Sequence, residues 1–305
     1  MEAKKPKHNF CSLSGSGPIF GTAPETKRWI LVEYNGPWGK QVLPYSSLSP
    51  SIKNYLQNLV DNLESVKLLF IKRSDRRDAK DIQVYLIDNS DEFRMQSFRL
   101  REYEELPFSH IEQFFDNTDR KSQTEPLYLV CTNGKRDMCC AKFGLPLYQA
   151  LCKHRGTSVW QCSHFGGHRF APTFIHFPSG GCYGRIPQDS VEDVLNSIEG
   201  GYIVESGYRG RTGIPKIAQA AEYLFNKRIG TNRNTRFINV SRIEQNYTVT
   251  LEWQGKQFKL ELECIEGAPE MADCTSTKLV TQKRYQLKKL QALRGPLLKE
   301  AIAQS

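Results

Sequence analysis

Five of the nine cysteines, Cys131, Cys139, Cys140, Cys152 and Cys162, fall within 32 consecutive positions, and the same stretch runs on into His164 and His168. Sulfur and imidazole donors gathered this densely suit a transition-metal site, whose ligands must converge within a few ångströms. An odd cysteine count also argues against a disulfide framework. The segment Cys131-Thr-Asn-Gly-Lys-Arg-Asp-Met-Cys139-Cys140 carries one thiol at the expected end of a strand and another nine positions on, at the start of a helix. A loop of that kind can close two thiolates on one metal. The helix N-terminus, with its positive dipole end, and the cations Lys135 and Arg136 favour thiolate over thiol. Cys139 competes with Cys140 for the second place, but adjacent side chains diverge, so only one of them serves a given metal. The second half of the constellation is Ser163-His164-Phe165-Gly166-Gly167-His168-Arg169-Phe170. Histidines at this spacing suggest a zinc-protease helix, yet the glutamate of H-E-x-x-H is missing and each glycine costs a helix about 1 kcal/mol. A loop is expected instead, one that turns both imidazoles toward a point and leaves room for a bulky inorganic group.

Two cysteines and two histidines can hold zinc or an iron-sulfur cluster. Cys162-Ser163-His164 imitates half of a Rieske pattern, but no C-x-x-H box accompanies it. Arg136 and Arg169 stand beside these donors and could donate to cluster sulfurs or to a partner carboxylate. Trp160 and His176 sit on apolar strands and read as core residues, as do Cys152 and Cys162. Tyr208-Arg-Gly-Arg-Thr-Gly reads as a loop with weak anion-binding character. No motif nominates the carboxylate pair that glycoside hydrolysis needs.

The elements that must position these donors divide the chain into four regions. Residues 1–27 form an irregular arm rich in Gly, Ser, Pro and Thr. Residues 28–120 read as β-α-β-β-β, with strands at Arg28–Tyr34, Val66–Ile71, Ile82–Ile87 and Arg94–Leu100. Their helix lies between Ser49 and Leu63, where Ile52, Tyr55, Leu56 and Leu59 recur at helical spacing. Residues 121–230 hold strand Leu127–Cys131, a helix from about Leu145 to Lys153, strand Ser158–Cys162, and two strands around Pro178-Ser-Gly-Gly. Helices at Ser190–Ile198 and Ala218–Lys227 follow, with Asp189 and Glu192 at capping-box spacing. Strand, helix, strand, strand pair, helix is the connectivity of a thioredoxin-like unit, and residues 28–120 read as a degenerate copy of it. Residues 231–305 give a small antiparallel meander followed by a basic helical tail.

Several segments resemble the sucrase/ferredoxin-like family of thioredoxin-like 2Fe-2S ferredoxins. They are Cys131 to Cys140, Val159-Trp-Gln-Cys-Ser-His-Phe-Gly-Gly-His-Arg-Phe-Ala, Tyr183-Gly-Arg, Tyr208-Arg-Gly and Gln219-Ala-Ala-Glu, with Cys11-Ser, Gly21-Thr-Ala and Gly36-Pro-Trp-Gly before them. The resemblance covers residues 10 to 230. It implies an α/β, thioredoxin-like ferredoxin domain and a 2Fe-2S cluster held by Cys131, Cys140, His164 and His168. The family's glycine-rich C-terminal cysteine element is poorly matched at Cys274. The implied role is a non-enzymatic redox carrier; because imidazole ligands titrate near neutral pH, its one-electron transfer is expected to be coupled to histidine protonation. A zinc-stabilised Cys2His2 binding module is the alternative.

The chain of 305 residues is 39% hydrophobic and 25% charged, an ordinary globular composition. No apolar run approaches the ~20 residues of a membrane helix. None follows Lys4, Lys5 and Lys7, so no secretory signal is expected and the expected compartment is the cytoplasm. Of the net charge of +9, +6 lies from Lys278 onward, where Lys278, Lys283, Arg284, Lys288, Lys289, Arg294 and Lys299 stand against Glu300 alone. Such a tail, Lys278 to Lys299, is expected to dock an acidic redox partner in preference to nucleic acid.

Overall fold

The computed structural model describes residues 10–15, 17–90, 92–116, 122–275 and 278–293. A short helix α1 (Cys11–Ser14) precedes the first α/β unit. That unit comprises β1 (Arg28–Glu33), α2 (Val42–Tyr45), α3 (Pro50–Asn62), β2 (Val66–Lys72), β3 (Ile82–Asp88), β4 (Arg94–Leu100) and α4 (Phe108–Asp116). The second holds β5 (Leu127–Cys131), α5 (Met138–Arg155), β6 (Val159–Cys162), β7 (Thr173–Phe177), β8 (Gly181–Gly184) and α6 (Val191–Glu199). An added edge strand β9 (Tyr208–Arg211) and α7 (Lys216–Ile229) follow. Strands β10 (Arg236–Ile243), β11 (Asn246–Trp253), β12 (Lys256–Met271) and β13 (Leu279–Ala292) form a separate antiparallel sheet.

The first nine strands join in one curled mixed sheet of order β4-β3-β1-β2-β6-β5-β7-β8-β9. In each unit the first two strands are parallel, the third is antiparallel to the first, and the fourth is antiparallel to the third. The kinship expected from element order alone is therefore present in strand order and sense. The units meet back to back through the antiparallel pair β2 and β6, with Ile71 opposite Cys162.

Period-two alternation decides which side chains go where. Ile30 and Val32 point to the core under α3 and α4, and Tyr128 and Val130 to the core under α5 and α6. Trp29, Leu31, Leu127, Leu129 and Cys131 point the other way, into an inner core shared by both units. Helix α7 then carries the small sheet, packing Ile217, Ala221 and Phe225 on Val249, Leu251, Leu260 and Leu262.

Four local expectations are corrected. Helix α5 begins at Met138, before its internal Pro146, so Cys139 and Cys140 lie inside its first turn. Helix α4 completes the first unit, which the sequence reads as β-α-β-β-β without it. Ser190, not Asp189, precedes α6, and its side chain makes no capping bond. The expected helical tail is a strand: β13 pairs with β12 from Leu279 to Ala292. A register shift there leaves Glu261 opposite Lys289 and Leu262 opposite Leu287, so Lys288 is an extra residue that turns Leu287 and Leu290 to the same side. A bulge thus imitates helical spacing. The basic residues of this strand face acids, with Lys288 Nζ 2.5 Å from Glu263 and Arg284 3.8 Å from Glu270. Arg294 and Lys299 lie outside the described residues.

Candidate metal centre

Cys131 ends β5 in the inner core, beside Cys162 of β6. Asp137 starts α5 by accepting the Cys139 N–H at 2.9 Å. Gly144, one turn further on, lets the helix lie directly against β5, because a Cβ there would collide with the Cys131 carbonyl oxygen. This approach brings the start of α5 back to the strand end. The sulfurs of Cys131 and Cys140 and one nitrogen of His164 all lie within 4.8 Å of one another, and His164 Nδ1 stands 3.6 Å from each sulfur.

The histidine loop is fastened from several directions. Ser163 continues the β2–β6 contact, its N–H donating to the Phe70 carbonyl at 2.8 Å and its Oγ accepting the Phe70 N–H at 3.0 Å. Lys67 of β2 donates to the Phe165 carbonyl at 3.0 Å. Gly166 and Gly167 have φ of 112° and 86°, where a side chain would be strained. A Cβ on Gly167 would also strike the Arg209 guanidinium, which donates to the carbonyls of Gly166 at 3.3 Å and Thr22 at 2.6 Å.

His168 lies beside His164, with ring centroids 5.3 Å apart. Its Nε2 is 2.8 Å from the Ala272 carbonyl, which can only accept, so the proton belongs on Nε2. Nδ1 is then an unprotonated donor, and it is buried without a hydrogen-bond partner. A carbonyl that fixes the tautomer and frees the other ring nitrogen is the usual outer support of a metal-ligating histidine.

The two thiols titrate as one unit. The Cys140 thiol donates to Cys131, and with His164 this holds Cys131 well below the usual thiol range despite its burial. The same bond, together with burial and the Cys131 charge, pushes Cys140 up. Burial lowers Lys67 and Arg209, and each faces the charge of Cys131.

Cys139 turns away from this group: its sulfur lies 3.7 Å from that of Cys11 and 3.1 Å from that of Cys274. Arg136 is exposed and lines an open depression of about 890 Å³ together with His164, Lys40, Lys53 and Lys67. Arg169 lies within electrostatic reach of Cys11 and Glu270, and burial lowers it. His176 is a core residue whose Nδ1 is 2.8 Å from Ser179 Oγ, and burial lowers it to about 4. The Tyr208 to Gly213 segment is no anion loop. It contains β9, and Arg211 is spent on buried Glu222 at 2.9 Å. Lys67 and Arg209 are the supports that sequence reasoning missed, since nothing near them in the chain marks contact with residues 98 and 43 positions away.

Residues 19–210 match the sucrase/ferredoxin-like family. Two relatives are named altered inheritance of mitochondria protein 32. That of Meyerozyma guilliermondii is 29% identical over 155 residues, covering 46% of this chain and 54% of the relative. That of Debaryomyces hansenii is 35% identical over 95 residues, covering 28% and 35%. The chain thus spans about half the length of the first relative. A solved thioredoxin-like [2Fe-2S] ferredoxin from Aquifex aeolicus aligns with 30% of this chain and 97% of its own, at 17% identity and a TM-score of 0.27. No helix among the described residues is long and apolar enough to cross a membrane.

Proposed function

The chain belongs to the sucrase/ferredoxin-like family, and from that premise we propose that it is an electron-transfer protein whose Cys131, Cys140, His164 and His168 hold a 2Fe-2S cluster. The observation that carries this reading is the convergence of the Cys131 and Cys140 sulfurs with a nitrogen of His164, with His168, whose buried Nδ1 has no hydrogen-bond partner, next to His164 outside that group. Four donors of this kind fit mixed cysteine and histidine ligation. When bound, the cluster supplies one-electron oxidation and reduction. Neutral imidazoles in place of two thiolates leave the site less negative, which favours the reduced state and raises the potential. Lys67 and Arg209 add buried positive charge in the same sense.

The two histidines have different tasks. The His168 Nε2–H is tied to the Ala272 carbonyl, whereas His164 lines the open depression. Lys40, Lys53, Lys67 and Arg136 surround that opening, so an acidic redox partner is proposed to dock there. The tail strand is less suited, because Arg284 and Lys288 already face Glu270 and Glu263. Ligating thiols must stay reduced, which fits the cytoplasm; the mitochondrial name of the relatives makes cell fractionation the check.

Iron analysis and visible spectroscopy of the anaerobically purified chain test the reading. About two irons per chain with a visible absorption that bleaches on reduction support it. A colourless protein with zinc bound by two sulfurs and two nitrogens sinks it and leaves the zinc-stabilised binding module.

A further inference from the structure

Helix α1, the first turn of α5 and the bend after β12 deliver Cys11, Cys139, Asp137 and Cys274 to one point, their donor atoms all within 4.8 Å of one another. The sulfur separations are 3.1 Å (Cys139 to Cys274), 3.5 Å (Cys11 to Cys274) and 3.7 Å (Cys11 to Cys139). Asp137 Oδ1 lies 3.1 Å from the Cys274 sulfur and 3.9 Å from that of Cys11. Tetrahedral zinc, with Zn–S of about 2.3 Å and Zn–O of about 2.0 Å, sets neighbouring sulfurs about 3.8 Å apart and sulfur and oxygen about 3.5 Å apart. The sulfur pairs therefore need to widen by about 0.1 to 0.7 Å, and the two sulfur–oxygen contacts to adjust by about 0.4 Å, one outward and one inward. From this geometry we infer that Cys11, Cys139, Cys274 and Asp137 form a second, structural metal site that takes one zinc ion.

The surroundings suit thiolate ligands. The Cys11 N–H points at the Cys274 sulfur at 3.4 Å, and the Ser12 hydroxyl donates to the Cys139 sulfur at 3.2 Å. Asp137 is oriented by the N–H groups of Cys139, at 2.9 Å to Oδ1, and Cys274, at 3.0 Å to Oδ2. Arg169, with a buried Nη1 that has no partner, supplies positive charge near Cys11. These are the outer contacts that steady a metal-bound thiolate or carboxylate. A pairwise disulfide would use two of the sulfurs and leave a third thiol and a carboxylate without a task.

Zinc here would staple three segments that are distant in the chain, and Cys274 lies two residues beyond the Ala272 carbonyl that holds His168. Binding would displace the remaining thiol protons and hold the end of β12 against the cluster unit.

The test is metal analysis and zinc K-edge X-ray absorption on the full chain, purified without air after expression with iron and zinc. About one zinc per chain, with three sulfurs near 2.3 Å and one oxygen, is expected. Cys11→Ala and Cys274→Ala should each cut zinc at least tenfold and leave iron per chain unchanged. The inference is overturned if the wild-type chain takes up no zinc, if its zinc has two sulfur and two nitrogen neighbours, if zinc survives both substitutions, or if peptide mapping finds a native Cys139 to Cys274 disulfide. Should either variant misfold, the absorption spectrum of the wild type decides alone. Absence of iron with a three-sulfur zinc would sink the electron-transfer reading and keep this one.

Discussion

The two α/β units share strand order and strand sense but differ at one matched position. Glu33 pairs with Ile71, Ile71 with Cys162, and Cys162 with Cys131, so one row across the sheet relates Glu33 of the first unit to Cys131 of the second. In the first unit the loop after the second strand returns Arg76 to Glu33 at 2.9 Å. In the second, the loop after the corresponding strand returns His164 to Cys131 at 3.6 Å. The fold thus makes the same point of convergence twice. In one copy a carboxylate and a guanidinium satisfy each other, and Glu33 also accepts the Gln83 N–H at 2.9 Å, so no donor is left for a metal. In the other, two thiols and the His164 imidazole bring metal-ligating atoms together, with the unpartnered Nδ1 of His168 on the neighbouring ring. Architecture supplies the place, and side-chain chemistry decides whether the place is a site.

The contrast breaks most sharply at the ligands. Cys131→Ser or Cys140→Ser should abolish bound iron, whereas Cys139→Ser should leave about two irons per chain. Iron retained in the first pair, or lost in the third, would reassign the ligands. His164→Cys should keep the visible chromophore but lower the midpoint potential by on the order of 100 mV, read by potentiometric titration, because it adds a negative ligand. An unchanged potential would remove His164 from the site.

In the first unit the matched substitution should affect stability alone. Glu33→Gln removes the buried one of the two carboxylates that pair with Arg76, leaving Asp81 at 2.9 Å, and should cost about 2 to 3 kcal/mol in denaturant unfolding, with iron content unchanged. A loss of iron would mean that the units are not chemically separate.

The smallest effect concerns pH. His176 falls to about 4 in the folded chain through burial, against 6.5 when unfolded. Between those values the unfolded chain binds the extra proton, so stability declines as pH falls from about 6.5 to about 4, by about 2 kcal/mol at pH 5. The first unit has no histidine on its matching strand, Ile82–Asp88. His176→Gln should flatten this slope, and an unchanged slope would assign it to other groups.

The strands of both units could be read from alternation, and the Cys131, Cys140, His164 and His168 spacing from the chain itself, because each signal lies within a few residues of its cause. Misreadings arose where a local pattern had two sources. Leu287 and Leu290 look helical because a bulge at Lys288 restores them to one side of a strand. The Tyr208 to Gly213 segment looks like a free basic loop because the partner that buries Arg211, Glu222, lies on the next helix.

The amino-acid sequence by itself determined the donor types, their family resemblance and the strand and helix that present them. Only the tertiary structure decided that Cys139 belongs with Cys11 and Cys274, 128 and 135 positions away. It also set the His168 tautomer, through a carbonyl 104 residues distant, and matched Glu33 to Cys131 across the sheet. Propensity and spacing act over a turn or a strand. The meeting of donors, and the lone pair each one keeps free, depends on packing between segments whose separation in the chain carries no such signal.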